Sequence, residues 1–180
     1  MPRAGRDERV WVRGAQAGSA SDLEALFRLH WPRAYRAAYL VVHDRGAAED
    51  IAQEAFLAAV RALDTFDRRR PFGPWLHRIV VNRAIDWTRA RSLRHEVGDE
   101  ALTNAKSRAE APSQAISENV SDALAALPPG QRAVIVMRYL LEYSPGEIAR
   151  MLQLPRGTVN SRLRRGLDAL QGWIKEEEQA

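Results

Sequence analysis

The sequence predicts an all-α protein made of two small helical domains joined by a flexible linker, the C-terminal one containing a helix-turn-helix. Three observations lead there. Apolar residues recur at three- and four-residue steps along most of the chain, and no stretch alternates with period two for long enough to form a strand. Between Glu96 and Ile116 the periodicity gives way to small and polar residues, the composition of a tether. Near the C-terminus a short helical pattern, a tight turn and a longer basic helical pattern follow one another. The expected layout is an N-terminal extension (1–20), a first domain (21–95), a linker (96–116), a second domain (117–175) and an acidic tail (176–180).

In the first domain, Ser21 followed by Glu24 predicts a capping box that opens a helix. Pro32 predicts a break or a new first turn, after which Tyr35, Ala38, Tyr39 and Val42 continue the apolar stripe. Ala48, Ile51, Ala52, Ala55, Phe56, Ala59, Val60 and Leu63 then trace one face of an amphipathic helix. A Pro- and Arg-rich loop from Phe66 to Pro74 leads into a helix with Leu76, Ile79, Val80, Ala84 and Trp87 on one side. In the second domain, Val120, Ala123, Leu124 and Leu127 predict a short helix that stops at Pro128-Pro129, and Val134, Met137 and Leu141 predict the next. Ser144-Pro145-Gly146-Glu147 compresses a helix start into four residues: Ser as N-cap, Pro at the first helical position, Glu completing the box. Gln153 to Gly157 is the expected turn, and Thr158 to about Trp173 the second helix of the pair.

Composition narrows the function. The 180 residues contain no cysteine, which excludes disulfides, thiolate-bound zinc and thiol catalysis and suits a reducing compartment. Neither a membrane-spanning apolar run nor a secretory leader is read, so a cytoplasmic location is expected. There is no nucleophile–base set, metal-ligand cluster or phosphate-cradling glycine loop, so neither an enzyme nor a cofactor or metal site is expected. The net charge of +4 is unevenly spread. Residues 67–94 carry eight Arg against Asp67 and Asp86, and residues 150–165 carry five Arg and no acid. Asp44, Glu49, Asp50 and Glu54 gather elsewhere. Two basic blocks and a separate acidic one suggest two nucleic-acid surfaces and a different contact face, although charge runs also occur simply as solvated helix faces.

The placement of side chains sharpens that reading. On the last helix, Val159, Leu163, Leu167 and Leu170 face inward, opposite Gly157, Thr158, Ser161, Arg164 and Arg165, with Asn160 and Arg162 at the flanks. Hydroxyls and guanidinium groups on the first turns of a second helix suit phosphates and base edges in a major groove. On the helix after the Arg-rich loop, Trp75, Arg78, Asn82, Ile85, Asp86 and Arg89 share a second face suited to single-stranded DNA: a ring to stack on, an amide for a base edge, cations for phosphates. Trp75 equally suits a core position, and Trp87 suits one better. Asp50, Gln53 and Glu54 line the polar side of their helix, as a solvated face or a protein-contact patch.

Five motifs then occur in order: Asp50-x-x-Gln53-Glu54-x-Phe56, Trp75-Leu76-x-Arg78-Ile79-x-x-Asn82, Leu127-Pro128-x-x-x-Arg132, Glu147-Ile148-Ala149, and Pro155-x-Gly157-Thr158-Val159-x-Ser161-Arg162-Leu163. From about residue 20 to 172 the chain resembles the extracytoplasmic-function (ECF) group of bacterial RNA polymerase sigma factors. The resemblance implies that the helix with Asp50, Gln53, Glu54 and Phe56 contacts the β′ clamp helices of core RNA polymerase, the second domain meeting the β flap. It implies that the loop from Phe66 to Phe72, with Arg68, Arg69 and Arg70, acts with Trp75, Arg78, Asn82 and Arg89 to recognise and open the −10 element. Arg138, Arg156, Thr158, Asn160, Ser161, Arg162, Arg164 and Arg165 are the corresponding −35 residues. An anti-sigma factor covering both domains is an expected partner besides polymerase and promoter DNA. Arg164-Arg165-Gly166-Leu167 departs from the Ala-Arg that many members carry after the Arg, which bears on −35 specificity. The alternative is a helix-turn-helix regulator acting without sigma activity, which leaves the N-terminal helices without a role.

Overall fold

The computed structural model describes residues 4–96 and 118–177; the expected linker beyond Glu96 and the end of the acidic tail lie outside the described residues. The helices are α1 (Ala4–Gln16), α2 (Ala20–Val42), α3 (Arg45–Arg61), α4 (Phe72–Glu96), α5 (Glu118–Ala126), α6 (Pro129–Ile135), α7 (Pro145–Leu152) and α8 (Arg156–Glu177). A 3-10 turn covers Leu63–Thr65, and a π-helical turn, Val136–Leu140, prolongs α6. Among the described residues there is no strand.

Residues 4–16, expected as an extension, form a helix that lies along α2 and buries Val12. The start of α2 also differs from expectation. Ser19 is the N-cap, its hydroxyl accepting from the Asp22 amide at 3.3 Å, while Glu24 pairs with Arg28 at 2.6 Å instead of closing a box with Ser21. Pro32 does not break the helix. It sits exposed, and Leu26, Ala34, Ala37 and Ala38 bury fully on either side, a gain that outweighs the one missing backbone hydrogen bond. His43 ends α2 in the left-handed region (φ 52°), donating its amide to Tyr39 O at 2.7 Å, and Asp44 at once caps α3 through Ala47 N at 2.9 Å.

The α3 core face is mostly alanine: Ala48, Ala52, Ala55 and Ala59 are buried, which lets α3 approach α2 and α4 closely. Val60, read as part of that face, is 41% exposed and stands off it. Helix α4 begins at Phe72, ahead of the expected loop end, because Pro74 falls in the first turn, where no amide hydrogen is needed. Leu76, Val80, Val81 and Ala84 form its buried stripe.

In the second domain, Ser144 and Glu147 close the expected capping box, with Glu147 Oε2 2.8 Å from Ser144 N. Gln153 adopts φ 54° at the turn, and Val159 and Leu163 of α8 bury against α6 and α7. Gly166 has a packing role: a Cβ there would fall 2.5 Å from Ile135 Cδ1, so glycine is what allows α8 to cross α6 this closely.

The two domains pack together, α2 and α4 against α5, α6, α7 and the π-helical turn. Arg132, 8% exposed, is the centre of that junction. Its Nη1 donates to Val41 O at the end of α2 at 2.7 Å, and its Nη2 donates to Ala125 O and Leu127 O at the end of α5 at 2.6 and 2.8 Å. One guanidinium therefore caps two helix C-termini, one in each domain, where backbone carbonyls lack intrahelical partners. Burial draws its pKa down to about 10, so it remains charged at neutral pH. Elsewhere along the junction, the His77 Nδ1 and Tyr143 hydroxyl share a buried hydrogen bond of 2.7 Å, and Arg33 reaches Glu142 at 3.1 Å.

Candidate nucleic-acid interface

Three surfaces carry the residues singled out from sequence. On α3, Asp50, Gln53 and Glu54 are exposed. Gln53 donates to Glu49 at 3.3 Å, and Glu54 holds Arg83 of α4 at 2.7 Å, an exposed pair that adds at most about 1 kcal/mol. Phe56 is not on this surface. It is 6% exposed and packs 4.8 Å from Phe27 and 5.9 Å from Trp31, so its role is to seat the helix. Leu57 (54% exposed) and Val60 instead place apolar side chains beside the acids. The sequence reading missed them, though Leu57 off the core stripe was a detectable signal.

The Arg-rich loop stands on an aromatic floor. Phe66 and Phe72 are buried and lie 4.6 and 5.5 Å from the half-buried Trp75, so these two phenylalanines support the loop rather than present themselves. Arg68, Arg69 and Arg70 are exposed at the tip. Asp67 bends it by accepting from Arg69 N at 2.9 Å, while its own carbonyl accepts from Arg70 N at 2.9 Å. Below the loop, Arg78 is half-buried, and Asn82 and Arg89 are exposed on the same helix, with Asp86 3.5 Å from Arg89. Trp87 is half-buried under the Arg91 guanidinium at 5.1 Å, in keeping with a core-side position.

On α8, Arg156, Asn160, Arg164 and Arg165 are exposed together with Gly157. Thr158 and Ser161 are half-buried, and the Ser161 hydroxyl donates to Thr158 O at 3.0 Å. Arg138 is half-buried, its guanidinium 5.7 Å over the exposed Tyr139 ring. Arg162 departs from the others. It turns toward Gly130 of α6 and lines a groove of about 610 Å³ between the domains, whose other wall carries Asn82, Asp86 and Arg89. In this packing the face on α4 and a residue of α8 thus look into one cleft.

Two histidines at the domain junction are held neutral. Burial, helped by the charges of His30 and Arg33, pushes the His77 pKa down to about 3. Burial, with Arg132 adding repulsion, takes that of His43 to about 4. Among the described residues no group of acidic, His or Cys side chains could hold a metal, and no helix is long and apolar enough to cross a membrane.

Comparison with known proteins accounts for both domains. The family descriptions Sigma-70 region 2 and Sigma-70, region 4 match residues 26–94 and 117–170. The ECF RNA polymerase sigma factor SigW of Bacillus subtilis is 32% identical over 178 residues, covering 92% of this chain and 95% of that protein. SigL of Mycobacterium tuberculosis, also an ECF RNA polymerase sigma factor, is 34% identical over 169 residues, covering 92% and 96%. Among solved structures, CnrH in complex with the cytosolic domain of CnrY matches with a TM-score of 0.70 at 27% identity, over 94% of this chain and 98% of that one. RpoE from Bartonella quintana, in complex with the anti-sigma factor NepR, shares the fold with a TM-score of 0.72 at 24% identity, over 87% and 98%. A two-domain helical chain with these two regions is a sigma factor, a promoter-recognising subunit for transcription initiation. The chain belongs to the ECF RNA polymerase sigma factors.

Proposed function

We propose that the chain acts in the cytoplasm, without catalysing a reaction itself, by docking on core RNA polymerase through α3 and reading a promoter at two points. Residues 21–95 form the docking and −10 domain, and residues 117–175 the −35 domain. Asp50, Gln53 and Glu54 meet the β′ clamp helices, with Leu57 and Val60 adding apolar contact at their side. Arg68, Arg69 and Arg70 attract the DNA backbone. Trp75, Arg78, Asn82 and Arg89 hold the opened strand, where stacking and hydrogen bonding offset a few kcal/mol (roughly) of unstacking. Arg156, Asn160, Arg164 and Arg165 enter the −35 major groove. An anti-sigma factor is the expected inhibitor, since CnrH and the Bartonella RpoE were each solved with such a protein or a named partner.

The observation that carries this reading is the division of chemistry: one exposed face of acids and aliphatics on α3 and two exposed arginine faces, one on the loop leading into α4 and one on α8. Transcription in vitro with purified core polymerase on fragmented genomic DNA, with start sites mapped, tests it. Starts downstream of a shared pair of sequence elements are expected. Tight binding to duplex DNA without polymerase, and no polymerase-dependent starts, would instead favour a free-standing helix-turn-helix regulator.

A further inference from the structure

Helix α1 lies outside the residues matched to region 2 and contributes to none of the five motifs. Yet its polar side chains reach both ends of the Arg-rich loop. At the loop's start, Gln16 Nε2 donates to Leu63 O at 2.8 Å and to Phe66 O at 3.1 Å, across 47 and 50 residues of sequence. These carbonyls close the 3-10 turn and open the loop. At its end, Glu8 Oε1 accepts from Gly73 N at 3.3 Å, in the first turn of α4, where amides need an outside acceptor. The same oxygen is 2.8 Å from His30 Nε2, which fixes the carboxylate from α2 and lowers its pKa. Gly73 itself is tightly set: a Cβ would stand 3.0 Å from His30 Cε1. Glu8 and Gln16 are eight residues apart on one helix, about 12 Å along its axis. A rigid rod thus fixes the separation of the loop's two ends.

We propose that α1 is a brace for the −10 loop and that Gln16 and Glu8 are positioning residues for promoter opening. This rests on the assignment of the loop to −10 opening. Neither side chain needs to touch DNA. Each restricts the loop's backbone, so that Arg68 to Arg70 and Trp75 meet the duplex already arranged, and the ordering cost is not incurred during strand separation.

The test uses the full chain with core polymerase and compares Gln16→Ala and Gln16→Glu, which lose the donor, with wild type. Polymerase affinity, melting temperature, and open-complex formation on a duplex promoter and on the same promoter with the −10 element already unpaired are measured. Loss of two neutral hydrogen bonds is expected to slow opening of the duplex about tenfold. Polymerase affinity and activity on the unpaired template should stay within about twofold of wild type. Glu8→Ala should behave likewise, whereas Glu8→Gln, which keeps an acceptor for Gly73 N, should recover most of the loss. Equal impairment on both templates, weaker polymerase binding in proportion, or unimpaired duplex opening would each overturn the brace. If wild type itself opens neither template with core polymerase, the underlying sigma-factor assignment of the loop fails instead.

Discussion

Acidification should part the two domains before it unfolds either one. His77 and His43 lie at the junction, and neither can take up a proton there without cost. His77 is 4% exposed, its Nδ1 is engaged by Tyr143, and its Nε2 has no hydrogen-bond partner among the described residues. It faces Glu8 from α1, His30 and Arg33 from α2, and Tyr143 from the second domain. His43 faces Arg132 and Asp122 from the second domain, with the Tyr39 ring 5.8 Å away on its own helix. In the packed form these bases have pKa values of about 3 and 4; once separated they return toward their ordinary 6.5. The packed form binds fewer protons, so its stability is complete above about pH 6.5 and falls as pH drops below that value. At pH 5 a base held near 3 favours separation about thirtyfold, or about 2 kcal/mol. His43 keeps a partly exposed rim, and solvent screening reduces its share to about half of that. Together they remove about 3 kcal/mol at pH 5 and almost nothing at pH 7.5. The chain has no native cysteine, so dyes can be placed at Arg28→Cys and Asp168→Cys, both on exposed sites. Energy transfer between them should fall from pH 7.5 to 5 while far-UV circular dichroism holds steady. His77→Gln, which keeps a partner for Tyr143 but does not titrate, should flatten the response. Unchanged transfer across this range, or a wild-type response in the His43→Gln, His77→Gln double variant, would refute the reasoning.

Other expectations concern packing and the two interfaces. Gly166→Ala should destabilise the second domain by about 1–3 kcal/mol in urea unfolding, because its methyl group meets Ile135 Cδ1. Adding Ile135→Val should recover part of that loss, a coupling that a double-mutant cycle would measure. Glu54→Arg should abolish co-elution with core polymerase without loss of helicity, since it reverses an exposed charge and sets two arginines side by side at Arg83. Arg165→Ala should weaken recognition of the −35 element by about 1–3 kcal/mol in a promoter competition assay, leaving polymerase affinity unchanged.

What could be read in the sequence was what local chemistry decides. The Ser144–Glu147 box, the turn that begins at Gln153 and the inward Val159 and Leu163 follow from residues within a turn or two of one another. The exposed arginines of α8 follow from the same periodicity. Misreadings arose where a distant partner decides. Ser21 and Glu24 have capping-box spacing, but Ser19 supplies the cap at the turn after α1. Phe56 sits in a motif, and Phe66 and Phe72 in a loop, for which the resemblance implies contact, yet tertiary packing takes their rings inside. Arg162 lies on the flank of the exposed face, and only the approach of α6 turns it into the cleft. Gln16 gave no signal at all, because its partners are nearly fifty residues away.

Arg132 also restricts how tightly the domains can come to be held over evolutionary time. Two of its three hydrogen bonds stay inside the second domain, so parting from Val41 leaves the guanidinium anchored and the end of α5 intact. Replacing the residue, however, would strip both helix ends at once. Selection for a looser or tighter junction therefore has little freedom at Arg132. It would find its adjustable positions at His77, Tyr143 and the Arg33–Glu142 pair, where strength can drift without dismantling a domain.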